Sequence, residues 1–247
     1  MTDLPTSDLP TSDLSTSDFR LARPTATVDI PVAGGAIPSV VIGPIDGDPT
    51  APGLLVIPSI FGPAPDLVRR LASLDGEPLV VLPDPFWRNG GGVVPYRDHQ
   101  AAISRLRGFD AGLCADDLSA ALEWTRAHSS GRVVALGICF GGPFVLRLAG
   151  LGRIAGGVTW HGSRMEGYLD RAATTTCPLR LHFGEADPIT PPAAIAKIRE
   201  AFAAHGDLSI VVHPGAVHGF SHDGAAYDEK ACRAGLEATE ELLRAER

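Results

Sequence analysis

The chain has 247 residues, of which 45% are hydrophobic and 20% charged. That length and balance suit one large globular α/β domain with a sizeable core and exclude a fibrous or wholly disordered chain. A formal charge of −8 at pH 7 and a pI near 5.4 argue against nucleic acid and anionic membrane surfaces as partners. No apolar run reaches membrane-spanning length. The N-terminus has no basic segment followed by an apolar one, so no secretory signal is read and the cytoplasm is the expected location. The four cysteines, Cys114, Cys139, Cys177 and Cys232, fit neither a Cys-x-x-Cys pair nor a zinc spacing, and are expected as free thiols.

Residues 1–24 contain a Thr-Ser-Asp-Leu repeat without a hydrophobic face, and are expected as a disordered tail before a single domain over 25–247. Residues 25–30 and 37–43 read as a β-hairpin around Ala33-Gly34-Gly35. Residues 53–58 read as a buried strand ending in Ser59-Ile60-Phe61-Gly62, and 66–74 as an amphipathic helix. A buried strand at 79–84 leads into a Gly- and aromatic-rich loop over 85–96, whose Phe86 and Trp87 suggest a pocket wall. Helices are expected over 99–107 and 114–128. The uncharged run 133–138 is the pattern of a buried parallel strand, and a helix follows from Pro143. Strands at 154–160, 179–183 and 208–213 alternate with helices at 192–204 and 225–244. Such alternation requires a mostly parallel sheet with helices on both faces, and no second core is visible.

Between the 133–138 strand and its helix stands Gly137-Ile138-Cys139-Phe140-Gly141. A nucleophile-capable side chain on a strand–turn–helix tip, flanked by small residues, is the pattern of the α/β-hydrolase nucleophile elbow with Cys in place of Ser. Gly137 and Gly141 supply room where a Cβ would strike neighbouring elements. The helix behind the turn directs its free N–H groups and positive end toward a thiolate and a developing oxyanion. The bland alternative is a buried structural cysteine with packing glycines.

Chain order adds a second argument. Asp187 follows one later strand and His218 the next, which is the nucleophile–acid–histidine order of that fold. His218 would take the proton from Cys139 or hold it as a thiolate–imidazolium pair, and Asp187 would orient the ring. Backbone N–H groups of Ile60 and Phe140 would hold the oxyanion. Glu185 is the alternative acid. His161 also ends a strand, but it precedes the acid and reads as a pocket-lining group rather than the base. His182 reads as a hydrogen-bonded core residue.

From residue 25 to the C-terminus the chain resembles the dienelactone hydrolase (carboxymethylenebutenolidase) family. The resemblance is carried by Ile60-Phe61-Gly62, Pro83-Asp84, Gly137 to Gly142, Trp160-His161-Gly162, His182-Phe183-Gly184 to Asp187-Pro188, and His218-Gly219-Phe220. It implies an α/β-hydrolase fold without a large cap domain. It also implies hydrolysis of an ester or lactone through a Cys–His–Asp triad and an acyl-cysteine, without metal or organic cofactor.

Two departures stand out. Ser59 occupies the place of a family glutamate that helps activate the cysteine. His99 and His222 stand where the family places arginines that grip a substrate carboxylate, with Arg97 beside the first. Histidine holds a carboxylate weakly and only when protonated, whereas arginine offers a fixed, charged fork. Dienelactone is therefore expected to be a poor substrate, and a neutral or larger ester or lactone a better one. Ser59, Phe61, Trp87, His99, His161, Phe220 and His222 are the expected substrate-binding residues. The only partner expected is that small-molecule substrate, with the protein a monomer or homodimer. A thioesterase or acyl transferase on the same triad, or a non-catalytic binding protein, are the competing readings. A thiol redox protein is disfavoured, because no resolving cysteine lies near Cys139 in the sequence.

Overall fold

The computed structural model describes residues 23–245. The tail read at 1–24 therefore lies, as far as residue 22, outside the described residues. A hairpin of β1 (Thr25–Val32) and β2 (Gly35–Ile42) opens the chain. It is followed by β3 (Gly53–Ile57), α1 (Pro65–Ala72), β4 (Leu79–Pro83), α2 (His99–Ser104) and α3 (Ala111–Ala127). Next come β5 (Val133–Ile138), α4 (Gly142–Gly150), β6 (Gly156–Trp160), β7 (Leu179–Gly184), α5 (Pro192–Ala201), β8 (Leu208–His213) and α6 (Glu229–Ala245). The eight strands form one sheet in the order β1-β2-β4-β3-β5-β6-β7-β8. The β1–β2 and β2–β4 pairs are antiparallel and all others parallel. This is the α/β-hydrolase fold. No helix among the described residues is long and apolar enough to cross a membrane.

The parallel strands are apolar on both faces because helices cover both. Leu55, Ile57 and Ala135 pack with Leu118 and Leu122 of α3 and Phe144 and Leu148 of α4. Leu54, Val56, Val134 and Leu136 pack on the opposite face with Leu67 and Leu71 of α1 and Leu242 of α6. Each such side chain withdrawn from water contributes on the order of 1.5–3 kcal/mol. Cys114 is buried in the first of these layers, and Cys232 of α6 is buried as well.

Several element bounds differ from the sequence expectation, and caps explain two of them. α3 starts three residues early because the Asp110 carboxylate accepts from the Gly112 and Leu113 N–H groups, at 2.8 and 3.0 Å. α6 starts late, at Glu229, where the Asp228 carboxylate accepts from the Ala231 N–H at 2.9 Å. A kinked 3₁₀ segment, Met165–Thr174, had no counterpart in the sequence reading. It packs against α4 and places Tyr168 beside the site.

The central strands place the site by close approach. A Cβ on Gly141 would collide with the Ile57 carbonyl, and one on Gly137 would lie 2.5 Å from the Gly141 carbonyl oxygen. Both obstacles are backbone and cannot rotate away. Gly141→Ala is therefore expected to lower unfolding free energy by ~1–3 kcal/mol or to prevent folding, as read from urea denaturation. A loss below ~0.5 kcal/mol, the range of neutral surface changes, would contradict this contact.

Candidate active site

Cys139 opens a one-turn 3₁₀ segment between β5 and α4, with φ +52. A non-glycine residue in left-handed backbone is strained by on the order of 1–3 kcal/mol, and such strain gathers at functional sites. The surrounding contacts over-determine the turn: the Cys139 carbonyl accepts from the Ser163 N–H at 3.0 Å, and Gly141 abuts β3. The residue retains 8% of its exposure, at the floor of a cleft.

Asp187 and His218 reach the same floor from the loops after β7 and β8. The Asp187 carboxylate is buried. Its Oδ1 accepts from the Ile189 and Thr190 N–H groups, at 2.7 and 3.1 Å. Its Oδ2 accepts from His218 Nδ1–H at 2.7 Å, and His218 Nε2 lies 3.1 Å from Cys139 Sγ. Burial alone would favour the neutral imidazole. The hydrogen bonds and charges of Asp187 and Cys139 outweigh it and raise the His218 pKa to about 10. With both ring nitrogens protonated, Nε2–H donates to the sulfur. Of the two acids left open by the sequence, Asp187 meets the ring, while exposed Glu185 accepts from the Gly215 N–H at 3.0 Å.

The cleft above Cys139 has a volume of about 1080 Å³. Ile60 and Phe140, the expected oxyanion donors, both line it, as do Phe61, His99 and His222. The Phe61 ring meets Tyr96, His99 and His222 edge-on, with centroids 5.0, 5.4 and 5.5 Å away. His222 stacks on Tyr96 at 4.4 Å, and burial lowers its pKa to about 4, so it is neutral at pH 7. Tyr96 is held in turn by its hydroxyl, which donates to buried Asp66 at 2.9 Å.

Four expected substrate-binding residues stand away from the cleft wall. The Trp87 indole N–H donates to Asp117 on α3 at 2.8 Å. That buried carboxylate also takes a bidentate pair from Arg88, at 2.9 Å each, and so turns this end of the loop from the cleft. Only Tyr96 of the 85–96 loop lines the cleft. Ser59 is buried, its Oγ accepting from the Phe61 N–H at 3.4 Å. Phe220 and His161 are fully buried behind His218, with His161 ring centroids 4.8 Å from Phe220 and 4.9 Å from His218.

Further residues hold or line the loops around the site. Arg105 donates to the Gly91 and Gly92 carbonyls at 2.6 and 2.7 Å and to the Ile60 carbonyl at 3.3 Å, tying the glycine-rich loop to the expected oxyanion turn. Buried Asp84 accepts from the Phe86 and Gly92 N–H groups, and burial raises its pKa. Arg97 and Arg164 are exposed where they line the cleft. Nothing in the immediate sequence neighbours of Arg105 marks its contacts, because its partners lie in two other loops.

An acid, a histidine and a thiol stand in hydrogen-bonded line at the carboxyl ends of parallel strands, an arrangement that fits an α/β-hydrolase site with a thiol at the nucleophile position. Comparison with known proteins narrows this class. The sequence profile of the dienelactone hydrolase family matches residues 37–246. Carboxymethylenebutenolidase 1 of Cupriavidus pinatubonensis is 28% identical over 209 residues, covering 80% of this chain and 88% of that one. A dienelactone hydrolase-like promiscuous phosphotriesterase from metagenomic libraries superposes with a TM-score of 0.74 at 23% identity, over 91% of this chain and 98% of its own. The dienelactone hydrolase of Anabaena variabilis gives 0.67 at 18%, over 91% and 98%. The chain belongs to the dienelactone hydrolase family and is by class an ester or lactone hydrolase.

The raised pKa of His218 carries a sign for stability. The paired imidazolium stabilises the fold below the ring's ordinary value of 6.5, and that contribution is lost as pH climbs through about 10. In Asp187→Asn the carboxylate is gone, so the His218 pKa should fall well below about 10, and the alkaline loss of stability should start at lower pH. Imidazole NMR titration with thermal melts at stepped pH checks both. An unchanged His218 titration would show that Asp187 does not hold the proton.

Proposed function

We propose that this protein cleaves a neutral, or larger than dienelactone, ester or lactone through an acyl-cysteine formed on Cys139. The observation that carries the reading is His218 Nε2 at 3.1 Å from Sγ, with Nδ1 held by Asp187. The thiolate attacks the carbonyl carbon, and the tetrahedral oxyanion is met by the N–H groups of Ile60 and Phe140. As the C–O bond breaks, His218 gives its Nε2 proton to the leaving alkoxide. In a lactone that alkoxide stays attached to the acyl group. Neutral His218 then takes a proton from water, which attacks the acyl-cysteine and releases acid and thiolate. Asp187 keeps the ring oriented throughout.

The cleft supports the substrate class. It exceeds the usual volume of a small-ligand pocket, up to about 1,000 Å³, and apolar groups such as Ile60, Phe61 and Phe140 line it beside the thiol. Neutral His222 offers no charge to a carboxylate there, and Arg97 and Arg164 are exposed rather than enclosed. Cys139→Ala should lower kcat by at least about 10³-fold on a neutral aryl ester, the scale of losing a covalent nucleophile. Wild type should hydrolyse that ester with a kcat/KM well above its value for dienelactone. Equal values, with the dienelactone rate lost in Arg97→Gln, would move the carboxylate grip to Arg97 and overturn the substrate assignment. Full turnover in Cys139→Ala would remove the thiol from the mechanism.

A further inference from the structure

His161 takes no part in the acyl chemistry, yet its ring lies against His218. It is fully buried at the end of β6, on left-handed backbone with φ 41. Its Nε2 shares a hydrogen bond with Ser221 Oγ at 2.8 Å, while Nδ1 is buried without a hydrogen-bond partner among the described residues. A buried ring nitrogen left unmatched calls for an explanation. One donor atom each from Cys139, His161 and His218 lies within 4.8 Å of the others.

We propose that Cys139, His161 and His218 form a binding site for a thiophilic divalent cation of the Zn²⁺ class, whose occupation silences the hydrolase. One thiolate and two imidazoles select such a cation over Mg²⁺ or Ca²⁺. Bonds of about 2.3 Å to sulfur and 2.0 Å to nitrogen in a tetrahedral site put the donors roughly 3.5 Å apart. The Sγ–Nε2 separation of 3.1 Å is already near that value, and the remaining pairs lie within 4.8 Å, so the His161 ring closes the site by moving in by up to about 1.3 Å. Outer partners already orient both rings. Ser221 Oγ holds His161 at Nε2, away from the unpartnered Nδ1, and Asp187 accepts from His218 Nδ1–H, across the ring from Nε2. Cys139 and His218 line the cleft, so the fourth position opens to water. Binding sends the Nε2 proton to solvent and ties up both the thiolate and its base, with no change of oxidation state. The silencing rests on the acyl-cysteine reading; the binding does not.

The test is a titration of the full chain with Co²⁺ as the spectroscopic probe, followed by thiolate-to-cobalt charge-transfer absorption. One equivalent should give the band, Zn²⁺ should abolish it by competition, and Mg²⁺ should not. Affinity should fall at least about tenfold in His161→Gln. X-ray absorption on the Zn²⁺-loaded wild type needs no variant and should count one sulfur and two imidazoles. No band in wild type, equal affinity in His161→Gln, or a single imidazole would each overturn the site. Undiminished ester hydrolysis at saturating Zn²⁺, with X-ray absorption still counting one sulfur and two imidazoles, would leave the cation site standing and overturn the silencing together with Cys139 as nucleophile.

Discussion

Everything at the site hangs from the close approach of the Cys139 turn to β3. Gly141 lies against the Ile57 carbonyl and Gly137 against the Gly141 carbonyl, so the chain can reverse within one turn and enter α4. That approach forces Cys139 into left-handed backbone. The packing of β3, β5 and β6 around the turn is what offsets the strain. The reward is positional. The thiol stands off the sheet at the N-terminus of α4, and the loops after β7 and β8 arrive on the same side because their strands run parallel to β5.

Charge then decides the state of the site. Asp187 is buried but not left bare, since two backbone N–H groups and His218 satisfy it. Its carboxylate and the sulfur keep His218 protonated against burial, whereas His161 and His222, a few ångströms away, are held neutral by burial. Neighbouring imidazoles thus differ widely in pKa, and the charged one is the one aligned with the thiol. In such pairs of unlike environments the proton-carrying group is recognised by its partners rather than by its residue type.

The sequence was most legible where one physical cause acts locally. The apolar runs of β3, β4 and β5 are bounded by Gly and Pro, and their positions agree with the structure to within one or two residues. The elbow was readable because sterics require small residues on both sides of Cys139. The juxtaposition of Asp187 and His218 followed from strand order, which a parallel sheet turns into spatial proximity. Trp87 was misplaced because aromatic content does not say which way an indole faces; Asp117, thirty residues later on α3, settles that. His161 reads as a pocket residue from its strand end, yet its left-handed backbone at φ 41 and the Ser221 bond keep it buried behind His218. Arg105 and the Met165–Thr174 segment depend wholly on contacts with other loops and helices, and periodicity carries no trace of them.

The central claim is that Cys139, aligned with His218 and Asp187, carries the acyl group during turnover. The most direct measurement is the intact mass of the protein, quenched early in turnover of a neutral ester, with peptide mapping of the adduct. The account predicts a mass gain equal to the acyl group, located on the peptide that holds Cys139 and absent without substrate. An acyl group mapped to another side chain, or rapid turnover with no adduct under conditions that trap thioesters, would contradict it.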